Sequence, residues 1–286
     1  MSDYVVRALG ANSEWIGMAA EVTDALKEAI ALRGYDSSTA SALGKMLLCA
    51  AMVGSALKDN NILSISLHSQ KGDTRLIATA NAKIDIKATA NVDPEIGLVG
   101  PAILTVVRDL NLKTPYSGTV LTDFSTLDHG LELYFAQSEQ ILTRVKLHVS
   151  FGPNGELVRA FGYLLQALPF AKEDTKAKVF DSFDRMLSPE ALEFRGYTPE
   201  QMLESMFSGL GENVVEKKPI TWHCGCSKEK GAEILKSLGE EELESILAEG
   251  KTVHISCGFC GKKYYYTIDE IESLLASLEP SEVKEA

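Results

Sequence analysis

Two tight cysteine pairs near the carboxyl end constrain this 286-residue chain more than any other feature. The first reads Cys224-Gly225-Cys226 and the second Cys257-Gly258-Phe259-Cys260, with thirty residues between them. Sulfurs one or two residues apart reach a common cation, and two such pairs supply the four thiolates of a closed tetrahedral zinc site. Any fold must therefore bring 224–226 and 257–260 to one point. Glycines beside the thiols (Gly225, Gly258, Gly261) let the backbone turn its amides toward sulfur. On the plain reading, one zinc per chain on Cys224, Cys226, Cys257 and Cys260 only staples a small domain.

The single spacer of the first pair opens a second reading. A disulfide across one intervening residue closes a small, strained ring, and strained disulfides are easily undone by reductant. Four thiolates on a divalent cation leave a double negative charge, which the flanking Lys228, Lys230, Lys262 and Lys263 offset. Metal-held sulfur stays deprotonated, and thiolate is the form an oxidant attacks. The site then acts as a switch, holding zinc when reduced and two local disulfides when oxidised.

The formal net charge of −12 argues against nucleic acid as a main partner, since phosphate contacts need a basic face. Met1-Ser2-Asp3 opens an acidic, polar start without the basic and apolar regions of a signal peptide. The longest apolar run, Met46 to Leu57, is too short to span a bilayer. Clustered cysteines fit a reducing compartment, so the expected address is cytoplasmic, with no membrane partner.

Along the chain, Tyr4 to Leu9 and Trp15 to Val22 read as strands, and Thr23 to Leu32 as a helix stopped by Gly34. Ser37, Ser38 or Thr39 is expected to cap a buried helix running to about Leu57, with Cys49 as a core residue. From Ile62 the period changes to two. Strands over 62–68, 76–80 and 83–90 make an antiparallel meander with one wet face, and strands over 102–107 and 116–121 follow. A helix over 127–138 and a hairpin over 141–166, turning at Pro153-Asn154-Gly155, complete residues 1–171. Segregated helices and antiparallel strands make this core domain α+β.

Residues 172–219 read as a charged helical linker broken at Pro189, Gly196 and Pro199. Thr198-Pro199-Glu200 starts a helix whose stripe is Met202, Leu203, Met206 and Phe207. The stripe either rests on the core or belongs to a segment marginal enough to come loose. Residues 220–286 form the zinc-binding domain. It has helices over 227–238 and 241–248, a hairpin over 252–267 with the second pair as its knuckle, and a last helix opened by the capping box Thr267 to Glu270.

Cys224-Gly225-Cys226-Ser227-Lys228-Glu229 followed by Cys257-Gly258-Phe259-Cys260 resembles the 33-kilodalton heat shock protein family, the bacterial redox-regulated holdase chaperones. Asp3 to Leu9, Ala42-Leu43-Gly44-Lys45, Gly118, Tyr134-Phe135, Gly162 to Pro169 and Leu203 to Gly211 resemble further motifs of that family. The resemblance implies an ATP-independent chaperone, not an enzyme, with zinc on the four cysteines in an inactive reduced state. It implies that oxidation joins Cys224 to Cys226 and Cys257 to Cys260, releases zinc, and unfolds the zinc domain and linker. Unfolding client proteins are the implied partners, with a homodimer in the oxidised state. Two rivals stand beside it. One is a thiol–disulfide oxidoreductase; the other is a purely structural zinc-bearing interaction module. His223 and His254 adjoin the site and are read as non-ligands.

Overall fold

The computed structural model describes residues 2–10, 13–207 and 212–278, with only the backbone of 212–215. The chain divides into two compact units, Met1–His223 and Cys224–Ala286. The fold is α+β with antiparallel sheets, as the alternating and helical periods predict.

In the first unit, strands β1 (Tyr4–Gly10) and β2 (Trp15–Glu21) precede helix α1 (Thr23–Arg33), which ends on Gly34 at φ 67°. Helix α2 spans Ser37–Gly54. Its cap is Asp36 rather than one of residues 37–39; the carboxylate accepts the Thr39 N–H at 2.8 Å. An acidic cap satisfies an orphan donor and also complements the positive end of the helix dipole. The helix stops at Gly54, short of Leu57, where the buried Ser55 hydroxyl donates to Met52 O. Cys49 is fully buried, and burial pushes its thiol well above the usual range.

Strands β3 (Ile62–Ser69), β4 (Arg75–Asn81), β5 (Asp85–Asn91) and β6 (Pro101–Asp109) alternate buried and partly exposed side chains along most of their length, and β7 (Tyr116–Asp123) follows with only Val120 buried. The third meander strand begins at Asp85 rather than Lys83 because the Asn81 side chain accepts the N–H groups of both Lys83 and Asp85 and tightens the turn. Helix α3 (Leu127–Tyr134) runs into a π turn over Phe135–Glu139, and strands β8 (Thr143–Phe151) and β9 (Leu157–Ala167) form the expected hairpin.

Strands β10 (Glu212–Pro219) and β11 (Thr221–Trp222) complete two sheets. One has the order β10-β1-β2-β9-β8 and the other β11-β5-β4-β3-β6-β7. Helix α2 packs on β3, β4 and β5 of one sheet and on β2, β8 and β9 of the other, so its nearly all-round burial is explained. Residues 212–219 correct the expectation of a helical linker to 219: they pair antiparallel with β1. Val214 and Val215 are β-branched and suit a strand. Their partner lies some two hundred residues upstream, beyond the reach of local periodicity. The two-residue β11 pairs parallel with β5, an exception in otherwise antiparallel sheets.

Asp3 ties β1 to α1. Its carboxylate accepts the N–H groups of Asp24 and Ala25 at 3.0 and 2.7 Å, where the helix has no side-chain cap of its own. Burial raises its pKa from 3.8 to about 6, outweighing those two donors. The folded chain therefore binds the Asp3 proton more tightly than the unfolded chain does. The resulting stability is fully present below pH 3.8 and is lost as pH rises through about 6. Asp3→Asn cannot titrate. The difference in Tm, wild type minus Asp3→Asn, is expected to fall as pH is raised from about 5 to 7.5; a pH-independent difference would refute the assignment.

Helices α4 (Glu173–Asp184), α5 (Pro189–Phe194) and α6 (Pro199–Met206) follow β9. The capping box Thr198–Gln201 opens α6 at the expected place. Val179, Phe183, Leu192, Met202, Leu203, Met206 and Phe207 are buried in one cluster with Val6, Ala8, Trp15, Ala19, Phe161, Tyr163 and Leu165 of the five-stranded sheet. This core is separate from the one around α2. Gly17 permits the close approach: a Cβ there would sit 2.7 Å from the Phe207 ring. Polar contacts surround the apolar seam. Glu200 accepts from Tyr4 Oη at 2.7 Å, Glu193 lies 2.6 Å from His148 Nε2 and accepts from Ser150 Oγ, and Arg159 donates to Tyr197 O at 2.7 Å. The end of the linker resemblance, 208–211, lies outside the described residues.

The second unit contains α7 (Lys228–Lys236), α8 (Glu240–Glu249), β12 (Val253–Ser256), β13 (Lys263–Tyr266) and α9 (Ile268–Ala276). Ser227 and the Thr267–Glu270 box cap α7 and α9 as expected. Its buried core among the described residues is Leu235, Leu243, Tyr266 and Ile271. No helix among the described residues is long and apolar enough to cross a membrane.

Candidate metal centre

The β12–β13 hairpin sets the second cysteine pair. Its last register pair is Ser256 with Lys263. Beyond it the chain closes tightly, with Cys257 N–H donating to Lys262 O and Gly261 N–H donating to Cys257 O, both at 2.9 Å. Gly261 accepts the left-handed turn this closure needs, at φ 74°. The first pair turns at Gly225, φ 63°, whose carbonyl accepts from Lys230 Nζ at 2.6 Å. Gly258, by contrast, does not adopt a positive φ. Cys226 immediately precedes the Ser227 cap of α7.

The four sulfurs converge. Cys224 and Cys257 Sγ are 3.3 Å apart, Cys226 and Cys260 Sγ 3.4 Å apart, and all four lie within 4.8 Å of one another. Each distance exceeds the ~2.05 Å of a disulfide. A tetrahedral site with metal–sulfur bonds of ~2.3 Å has sulfur–sulfur edges of ~3.8 Å, inside the observed spread. Four half-buried cysteine sulfurs at this spacing fit a tetrahedral ion. The 3.3 and 3.4 Å contacts run between the pairs.

The electrostatics favour thiolate at one position. Burial opposes ionisation of Cys257, but the backbone N–H of Cys260, the Cys224 sulfur and the N–H of Phe259 together bring its pKa down to about 7. Burial and the hydrogen bond with Cys257 push Cys224 up to about 12. Among the protein groups alone, the pair shares a proton, held by Cys224 and accepted by Cys257.

The flanking lysines do less direct charge compensation than their positions suggest. Lys228 pairs with Glu270 and lies 5.4 Å from the Tyr266 ring centre, and Lys262 lies 5.2 Å from that of Tyr264. Neither histidine belongs to the sulfur group; His254 lies tilted against the Tyr265 ring with centres 5.6 Å apart. One contact that cysteine spacing does not reveal is Tyr264, whose hydroxyl lies 3.2 Å from Cys226 Sγ. Its only sequence signal is strand alternation. Tyr264 and Tyr266 share the inward face of β13, while Tyr265 faces solvent.

Comparison with known proteins covers almost the whole chain. The family model described as Hsp33 protein matches residues 3–267. A protein called 33 kDa chaperonin from Agathobacter rectalis is 31% identical over 288 residues, covering 96% of this chain and 100% of the relative. A 33 kDa chaperonin from Staphylococcus aureus strain JH9 is 32% identical over 292 residues, covering 96% and 99%. The crystal structure of a 33 kDa chaperonin, a heat shock protein 33 homologue from Thermotoga maritima, superposes with a TM-score of 0.84. It covers 96% of this chain and 98% of its own and, at 24% identity, speaks to the fold alone.

Proposed function

The chain belongs to the Hsp33 family, and we propose that it is a redox-regulated, ATP-independent holdase whose switch is the Cys224–Cys226–Cys257–Cys260 cluster. The observation that carries this reading is the convergence of four thiol sulfurs in a unit whose fully buried core, among the described residues, is Leu235, Leu243, Tyr266 and Ile271. Bound zinc would hold the four sulfurs as thiolates and staple the two knuckles together.

The chain's own chemistry follows from its sulfurs. Two thiolates and one peroxide give one disulfide and two hydroxides: the sulfurs are oxidised and the O–O bond is reduced. Two such events join Cys224 to Cys226 and Cys257 to Cys260, after which the chain no longer offers four thiolates to a cation. The 3.3 and 3.4 Å contacts of the folded cluster run between pairs, yet the proposed bonds run within them. The reason lies in the loosened state. Partners 33 and 34 residues apart diffuse away once the unit opens, whereas partners two or three apart stay tethered.

Loss of the staple unfolds the second unit. The linker helices are then proposed to leave the five-stranded sheet, exposing Val179, Phe183, Leu192, Met202, Leu203, Met206 and Phe207. Helices of 12, 6 and 8 residues do not persist alone in water, so undocking and unfolding coincide. Such Met-containing apolar surface binds unfolding proteins by burial rather than by shape. Pairing of two oxidised chains through it accounts for the proposed homodimer. The proposed compartment is the cytoplasm, where thiols are kept reduced at rest.

The test is light scattering of an unfolding client protein without nucleotide. Reduced, zinc-loaded chain should leave aggregation unchanged, and peroxide-treated chain should suppress it at near-equimolar amounts. Suppression equal in both states would overturn the redox reading, and steady turnover of disulfide substrate would replace it with an oxidoreductase.

A further inference from the structure

The four sulfurs are not equivalent. Cys226 Sγ lies 3.2 Å from a phenol hydroxyl, Tyr264 Oη. Tyr264 lies on β13 opposite Ile255, in a two-stranded hairpin that ends at the second knuckle, so its ring is carried by the same element that places Cys257 and Cys260. The Lys262 ammonium lies 5.2 Å from the ring centre. A cation over the ring holds it in place and draws electron density from the phenol, strengthening it as a donor. A thiolate has no proton to give, so within the metal-binding form of the cluster the phenol donates and Cys226 sulfur accepts.

We propose that Tyr264 is a positioning residue that sets the oxidant threshold of the switch, its hydroxyl holding the Cys226 sulfur in the ligand geometry and slowing its attack on peroxide. This inference rests on the reading of the cluster as a zinc–thiolate redox site. In the first oxidation step a sulfur lone pair attacks a peroxide oxygen, the S–O bond forms, the O–O bond breaks, and hydroxide leaves. The resulting sulfenic acid is then attacked by the neighbouring thiolate, giving the disulfide and a second hydroxide. An O–H···S bond engages the sulfur lone-pair density that begins the first step, so it must weaken as the S–O bond forms. It also orients the ligand, a role whose loss typically weakens metal sites by about 10–100-fold. Both effects have the same sign: with the hydroxyl in place, Cys226 resists modification more than it would without it, and the site trips later.

Tyr264→Phe removes the hydroxyl and keeps the ring over which Lys262 sits. With full-length chain, reduced and zinc-loaded, peroxide-driven zinc release is read with a chromogenic chelator. Release from Tyr264→Phe is expected to be about tenfold faster than from wild type, while Tyr265→Phe, on the solvent face, matches wild type. A second readout is limited alkylation of the zinc-loaded proteins followed by peptide mass spectrometry, in which Cys226 should be modified faster in Tyr264→Phe than in wild type. Equal release rates from zinc-loaded Tyr264→Phe and wild type, or equal alkylation of Cys226 in the two, would overturn the proposal. A wild-type chain that takes up no zinc, or keeps it under peroxide, would instead overturn the reading on which it rests.

Discussion

Cys257→Ser is expected to leave residues 224–278 unfolded at neutral pH while the sheets of the first unit keep their cooperative transition. Among the described residues the unit's buried core is Leu235, Leu243, Tyr266 and Ile271, supported by the Tyr266 hydroxyl donating to Lys228 O at 2.6 Å. So few large side chains leave little margin over chain entropy. A structural zinc contributes about 10–16 kcal/mol to small modules, against the ~5–15 kcal/mol net stability of an ordinary domain. Serine does not replace a thiolate ligand, and the surroundings of Cys257 favour its thiolate. Amide exchange should show α7, α8, α9 and the β12–β13 hairpin unprotected, with zinc content well below one per chain. Full protection of those elements without bound metal would show that the apolar core suffices and that the metal is incidental.

Phe207→Ala should separate linker release from redox chemistry. Phe207 is fully buried, stacks on Trp15 with ring centres 6.3 Å apart, and fills the space that Gly17 leaves open. Truncating a buried Phe costs about 3–5 kcal/mol. Since α6 has only eight residues, that loss falls on a docking seam rather than on a self-standing helix. The reduced, zinc-loaded variant is expected to be cleaved by protease within 173–207 and to suppress client aggregation without oxidant. Gly17→Val should reproduce both effects from the opposite side of the seam. A variant that stays protease-resistant and silent until oxidised would show that the seam does not gate client binding.

Residues whose partners are close in sequence were legible in advance. The alternation of Leu63, Ile65 and Leu67, the Gly34 stop, the Thr198 and Thr267 caps and the Pro153-Asn154-Gly155 turn all stand where their chemistry predicts. The convergence of the four sulfurs was legible for a different reason: cation coordination imposes a distance that the cysteine spacing already anticipates. What escaped depends on distant partners. Residues 212–219 become a strand through β1, and α1 takes its cap from Asp3 rather than from an adjacent residue. Tyr264 looked like one of three hairpin tyrosines, and only the folded register aims its hydroxyl at Cys226. The cap of α2 was misplaced by one residue because Asp36 and Ser37 are both good caps, and dipole and side-chain reach decide between them.

The most direct test of the central claim is native mass spectrometry of the reduced chain before and after peroxide, followed by peptide mapping. The account predicts one zinc per reduced chain, loss of that zinc on oxidation, and peptides bridged from Cys224 to Cys226 and from Cys257 to Cys260. A chain that retains its zinc with all four sulfurs reduced, under peroxide sufficient to switch on client binding, would contradict it.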